Sequence, residues 1–474
     1  MATEVDAIVM GLGTCGEELG LRLSRSGLNT VGIEPNLIGG ECAFWACIPS
    51  KMMVRASNLL AEARRVEGVA GTVEVTPDWS VVANRIRMEA TGGWDDSYGV
   101  QRFEAAGGRH IRGYAEITGP GSVIVNGEEI TAKHGLVIAT GSHPITPPIP
   151  GLDTVDYWTT HDAIQVEQLP ASLLVLGGGA VGCELGQVFA RFGVDVTIIE
   201  GADRILAGED PVASEVIESV FASEGITVHK GSHVTRVEQR AMSDGTSQTV
   251  AILDDGAELT GDKLLVATGR GVSLTGLGLE SLGVDTSARF LDVDDHLRVA
   301  DRTFAIGDIT GKGMLTNVAV YQAGLVVDQL LGKTPPPADY STHPRITFTD
   351  PEVGSVGLSE AAAREAGLDI DVVTKSVAGT FRGLLHGSAG QGVIKLVVNR
   401  ADGLLIGATS VGPSGGEVLG MLATAIHGKV PVQTLAYMIY GFPAFYGGVG
   451  EALGAYARGV GPVFDPNHDP LFKD

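Results

Sequence analysis

The chain has 474 residues, more than one ordinary core organises and enough for roughly two to four domains. It carries 57 acidic against 33 basic side chains, a net charge of −24 and a sequence pI of about 4.8, which argues against nucleic acid or anionic membrane as a partner. The opening MATEVDAIVM lacks the basic and apolar regions of a signal peptide, and no stretch supplies the ~18 unbroken apolar residues of a membrane span, so a soluble cytoplasmic protein is expected.

Residues 5–11, VDAIVMG, form an apolar run that leads into Gly11-Leu12-Gly13-Thr14-Cys15-Gly16 and then a helical pattern ending at Gly27. TVGIEP reads as a second strand closing on Glu34. Strand, GxGxxG, helix, strand and terminal acid make the dinucleotide fingerprint: the glycines let a pyrophosphate approach the helix N-terminus, and the acid hydrogen-bonds a ribose. Cys15, inside that loop, reads as a small packing residue.

GGECAFWACIPSK follows at 39–51 and sets Cys42 and Cys47 on either side of four residues, at the start of a predicted helix. Unpaired N–H groups and the positive helix end stabilise a thiolate there. Taken alone, such a pair is more often two buried structural cysteines; the flanking motifs reverse that reading. Four cysteines are too few for a disulfide scaffold, and no neighbouring Cys or His completes a zinc set, so redox chemistry is expected and no metal. In an ideal helix residues five apart lie about 8.5 Å from each other, beyond the ~7 Å a disulfide tolerates, so bridging requires a bent first turn. Pro49, which restricts Ile48 to extended conformations, is expected to help impose that bend.

Residues 52–106 read as helical with a break near Thr76-Pro77-Asp78, and 109–141 as β-rich, with a hairpin around Asn126-Gly127 and a Pro-rich crossing at 143–151. LLVLGGGAVGCELG then repeats the opening grammar with Gly177, Gly179 and Gly182, and VDVTIIE closes on Glu200. A second complete fingerprint implies a second cofactor. Glu200 accepts from a free ribose 2′-OH and repels a 2′-phosphate, so NAD(H) is favoured over NADP(H), with Arg204 close enough in sequence to oppose it. Cys183 reads as core. LVIATGS at 136–142 is echoed by LLVATGR at 264–270, and RTFAIGDIT sets Asp308 at the carboxyl end of a strand. After the linker LGKTPPPAD at 331–339 the pattern becomes alternating strands and amphipathic helices with no phosphate loop.

In this order the landmarks resemble the flavoprotein disulfide reductases, the group of dihydrolipoamide dehydrogenase, mercuric reductase and glutathione reductase, over nearly the whole chain to about Glu451. The family pattern GGTCxNxGCxPSK is met here by GGECAFWACIPSK, with Glu41, Phe44 and Ala46 differing and Trp45 between them at a position the pattern leaves open. The resemblance implies an α/β protein with two Rossmann-like domains, for FAD and NAD(P), and a C-terminal α+β dimerisation domain: 1–150 and 273–338 for FAD, 151–272 for NAD(P), 339–474 for dimerisation. It implies a homodimer with shared active sites. It assigns FAD to Gly11, Gly13, Gly16, Glu34, Gly40, Lys51, Ala115, Thr140, Gly141 and Asp308, and the nicotinamide nucleotide to Gly177, Gly179, Gly182, Glu200, Val234 and Gly269. It places Cys42, Cys47, Lys51, Glu184, Glu451 and Tyr446 in the catalytic site, with Lys51 paired to Glu184 beside the flavin, Cys47 facing the flavin and Cys42 exchanging with substrate. Electrons are then expected to pass from NADH through FAD to a Cys42–Cys47 disulfide and on to a small disulfide or other electrophile.

One family feature is missing. The pattern His-Pro-Thr-x-x-Glu corresponds to GFPAFYGGVGEALG at 441–454; anchored on the proline, Phe442 replaces the His, and anchored on Glu451, Tyr446 does. A similar His-to-Phe replacement marks the 2-ketopropyl-coenzyme M carboxylase branch, which stands as an alternative. Direct reduction of quinones by the flavin, which needs no His, is a second, and a redox sensor without turnover a third. His386 and His427 read as surface or capping residues.

Overall fold

A computed structural model describes residues 3–459 apart from 243, 244 and 246, so the end of the expected C-terminal module lies outside the described residues. Among the described residues three large sheets organise the fold, beside a three-stranded and a two-stranded one. In the first, Thr303–Ala305, Glu128–Ile138, Thr3–Met10, Thr30–Glu34 and Arg109–Arg112 run parallel in that order. Their Ile, Val and Leu side chains are buried on both faces, Ile8, Val9, Leu136 and Val137 completely, as a sheet covered on both sides demands. The strand at 303–305 joins this sheet after the chain has built the second one, so the first unit closes around an insertion.

The second sheet is also parallel, in the order Thr227–Lys230, Asp195–Glu200, Ser172–Leu176, Lys263–Val266, Tyr157–Trp158. The third is antiparallel: Arg345–Thr347, Glu352–Gly357, Leu404–Gly412, Val393–Asn399, Ile370–Ser376. The helix Gly415–His427 packs its Val418, Leu419 and Leu422 against it. The expected two Rossmann-like units and α+β module are therefore present.

Local expectations fare unevenly. Val125 pairs with Glu128 across Asn126 and Gly127, both at positive φ, as the hairpin reading requires. The expected helical stretch at 52–106 is present with its break: helices cover Cys47–Arg64, Trp79–Arg85, continued by a π-helical turn at Ile86–Ala90, and Ser97–Ala105, but the break is longer than expected, since 71–78 has no regular structure. The Ile48 expectation also fails. Ile48 is helical, because Pro49 sits in the first turn of Cys47–Arg64, where a missing N–H leaves no helical hydrogen bond unmade. The bend comes earlier, at Trp45 and Ala46, which separate the short helix Gly40–Phe44 from the long one.

Candidate active site

The two glycine loops repeat one another in detail. Gly11 and Gly177 have φ of +99° and +110°, and a Cβ at either would run into a carbonyl oxygen, of Ala139 or Ala267 respectively. A Cβ at Gly16 or Gly182 would meet the oxygen of Gly11 or Gly177, so these last glycines set how closely helix and strand approach. At Gly13 and Gly179, by contrast, a Cβ would meet nothing within 4 Å: the groove at each helix N-terminus is open. Each neighbouring acid is fixed by two backbone N–H groups. Leu12 and Asn36 donate to Glu34, each at 2.8 Å, and Gly178 and Ala202 donate to Glu200 at 2.6 and 2.7 Å. Burial raises the Glu34 pKa, with the two N–H bonds acting against it. Both loops thus fit a dinucleotide, pyrophosphate at the helix end and ribose at the acid.

Arg204 does not face Glu200's carboxylate. Its guanidinium donates to the carbonyls of Ala207 and Glu209 at 2.6 and 3.0 Å.

Cys42 lies in the short helix and Cys47 opens the long one, and both are half-buried free thiols. Thr316, at the start of the helix Thr316–Leu330, reaches both: its Oγ1 is 3.4 Å from each Sγ. The Cys42 pKa is pushed down to about 6, chiefly by the hydrogen bond from Cys47 and, against its burial, by the hydroxyls of Thr316 and Thr14. The same bond from Cys47, with burial, drives the Cys47 thiol up. The two shifts run in opposite directions, as in a pair that shares one proton with the charge favoured on Cys42. Cys15 and Cys183 are buried and their thiols pushed up by that burial, as packing residues should be.

One turn into the long helix, Lys51 Nζ lies 2.5 Å from Glu184 Oε2, and the other oxygen of Glu184 accepts from Phe348 N at 2.7 Å. The Lys51 ammonium also sits over the Phe348 ring, 4.8 Å from its centroid. Asp308 accepts from the Ser142 hydroxyl at 2.5 Å. Thr140 and Gly141 follow the strand that ends at Ile138, a Cβ at Gly40 would lie against Gly13, and Ala115 is buried at the head of its strand. Gly269 (φ +122°) and Val234 lie in the second unit, Gly269 just past the strand Lys263–Val266.

In the C-terminal module Phe442 is 77% exposed and meets the Phe381 ring edge-on at 5.3 Å. The Tyr446 hydroxyl accepts from Gly441 N at 2.9 Å, and Glu451 pairs with Lys375 at 3.1 Å. His427 bonds Thr342 at 3.0 Å at the end of its helix, and His386 packs on Phe445, in line with their capping and surface readings.

Sequence reading missed a cluster beside Cys42. Glu41 bonds His161 Nε2 at 2.7 Å and Arg270 at 2.8 Å, and the His161 ring stacks on Trp45. Burial opposes the charge on Glu41, but these two partners outweigh it and hold its pKa below the ordinary value. Only the departure of Glu41 from the motif hinted at this.

The model of the family described as pyridine nucleotide-disulphide oxidoreductase matches residues 5–323, and that of its dimerisation domain matches 343–453. The chain belongs to the class I flavoprotein disulfide reductases. Among its relatives, a mercuric reductase of Staphylococcus aureus is 31% identical over 91% of this chain and 79% of that protein. A dihydrolipoyl dehydrogenase of Chlorobaculum tepidum is 32% identical over 95% of this chain and 97% of its own. The solved structure of the HOCl-induced flavoprotein disulfide reductase RclA from Escherichia coli superposes with a TM-score of 0.83 at 27% identity, covering 95% of this chain and 99% of that one. LpdA from Mycobacterium tuberculosis gives 0.84 at 25% identity, covering 95% and 100%. This disulfide reductase is accordingly an FAD flavoprotein oxidoreductase that carries the family's dimerisation domain. The two curated relatives differ in named activity, so the family sets the reaction class and leaves the acceptor open. No helix among the described residues is long and apolar enough to cross a membrane.

Proposed function

We propose that this reductase takes electrons from NADH and delivers them, through a Cys42–Cys47 disulfide, to a small disulfide or comparable electrophile. The observation that carries the reading is the cysteine pair itself, two thiols on one threonine hydroxyl with Cys42 driven to the thiolate.

Bound FAD supplies the link that thiols lack, taking hydride from reduced nicotinamide and returning an electron pair to a disulfide. Gly11, Gly13, Gly16, Glu34 and Asp308 would hold it, with Gly40, Ala115, Thr140 and Gly141 around it and Lys51, fixed by Glu184, at its reactive ring. Gly177, Gly179, Gly182, Glu200, Val234 and Gly269 would hold the nicotinamide nucleotide. Glu200, with Arg204 tied to carbonyls, supports NADH over NADPH.

In the exchange, the Cys42 thiolate attacks one sulfur of the substrate disulfide, forming a mixed disulfide and releasing the first thiolate. Cys47 then gives up its proton and attacks Cys42 Sγ. The second substrate thiolate leaves, the Cys42–Cys47 disulfide remains, and the two departing thiolates take up one proton from Cys47 and one from solvent. No imidazole stands at Phe442 or Tyr446, so this protonation lacks the family's usual donor. The dimerisation domain supports a homodimer, in which these residues would approach the partner subunit's cysteines.

The exposed Phe442 also favours a second reading, an apolar quinone-type acceptor that needs no proton donor and no cysteines. Steady-state NADH oxidation with a panel of disulfides and quinones, on wild type and Cys42→Ala, separates the two. Disulfide turnover abolished by Cys42→Ala supports the first reading, and quinone turnover indifferent to it supports the second.

A further inference from the structure

Glu41, His161 and Trp45 form a unit the family motif does not describe. Glu41 stands where the motif has threonine, Trp45 fills a variable position, and His161 comes from the helix Thr160–Gln165, which packs on the second sheet. We propose that His161 is a positioning residue for the redox pair, clamping from the second nucleotide-binding unit the segment that carries Cys42, through Glu41 on one side and Trp45 on the other.

The contacts are direct. His161 Nε2 lies 2.7 Å from Glu41 Oε1, and the imidazole stacks on the Trp45 indole with centroids 4.5 Å apart and planes 16° apart. Trp94 also stacks on Trp45, at 5.7 Å, so two rings contact the indole. Glu41 is held from a second direction by Arg270, which also donates to the Ser142 hydroxyl and carbonyl, each at 2.8 Å. Ser142 in turn bonds Asp308. The helix bearing His161 is itself fixed by a capping box in which Thr159 and Asp162 satisfy each other's backbone N–H groups.

The consequence follows from where the chain bends. Cys42 and Cys47 can meet only because the chain breaks at Trp45 and Ala46, and Trp45 is the residue that His161 and Trp94 grip. Holding Trp45 and Glu41 fixes Cys42 relative to Cys47 and raises the effective concentration of one thiol at the other. Releasing them lowers it, so a disulfide becomes harder to form and the hydrogen bond from Cys47 to the Cys42 thiolate weakens. This rests on the reading of the pair as redox-active.

The test equilibrates the full-length holoprotein in glutathione buffers and measures the Cys42–Cys47 disulfide by alkylation and peptide mass, alongside the pH midpoint of Cys42 alkylation. His161→Ala is expected to lower the disulfide equilibrium constant about three- to tenfold, the size of one lost ring stack, the contact to Glu41 being one-third exposed and screened by solvent, and to raise the alkylation midpoint. His161→Phe keeps a ring for Trp45 and His161→Gln keeps a partner for Glu41, so each should fall between. Glu41→Gln should add less to His161→Ala than it costs alone. A merely structural histidine would lower the melting temperature of His161→Ala and leave both readouts at wild-type values; that result overturns the proposal. Should wild type form no disulfide in any buffer, the redox reading of the pair falls, and the alkylation midpoints still decide whether His161 positions Cys42.

Discussion

Lys51 Nζ and Glu184 Oε2 lie 2.5 Å apart, tying the helix that carries Cys47 to the helix of the second glycine loop. Glu184 is nearly buried and Lys51 about one-third exposed, so the pair is unequal: removing the lysine strands a buried carboxylate. Lys51→Met should destabilise the fold by about 1–3 kcal/mol, less than a fully buried pair would because of the exposure. Glu184→Gln in that background should recover part of the loss. Urea denaturation of the two single variants and the double variant checks this.

Cys42 should alkylate with iodoacetamide half-maximally near pH 6, losing rate as pH falls through that value because the thiolate is the nucleophile. Cys47→Ala removes the largest stabilising hydrogen bond and should move the midpoint up toward the ordinary thiol value of about 8.5. Thr316→Val should move it less. A Cys42 midpoint that stays put in Cys47→Ala would show that the two sulfurs do not share a proton.

Glu200 should set the nucleotide preference. In wild type kcat/KM should be higher with NADH than NADPH, and Glu200→Ala should narrow the ratio by lifting repulsion of a 2′-phosphate. Arg204→Ala should leave the ratio nearly unchanged, since Arg204 is spent on the carbonyls of Ala207 and Glu209. Equal use of both nucleotides by wild type would contradict this.

Phe442→His restores a group that titrates near neutrality at the position the proline alignment gives to histidine. General acid–base assistance contributes about 10²–10⁴-fold where geometry is right, so disulfide turnover should rise by at least about tenfold while the NADH half-reaction is unchanged. Stopped-flow comparison of the two half-reactions tells whether the gain falls on the thiol step.

Much of this was legible because the constraints are local. A glycine at positive φ against a carbonyl, as at Gly11 and Gly177, or a strand ending on an acid two residues from its own N–H donor, as at Glu34 and Glu200, is written within a few dozen residues. Lys51 and Glu184, 133 residues apart, were legible only through the family motif. What escaped had no local signature. Glu41 and His161 are 120 residues apart and meet because two sheets are packed together, and Thr316 reaches the cysteines from the start of a helix beyond the inserted unit. The bend between Cys42 and Cys47 was expected but misplaced: a proline in a first helical turn ends nothing, and the break lies at Trp45 and Ala46, just before Cys47.

The most direct measurement of the central claim is an anaerobic titration of the holoprotein with NADH, counting thiols by mass after alkylation. One equivalent of NADH should free two thiols per chain, on Cys42 and Cys47, with Cys15 and Cys183 unchanged, and Cys47→Ser should free none. Consumption of that equivalent with the flavin reduced and Cys42 and Cys47 showing no gain in alkylation would contradict the account.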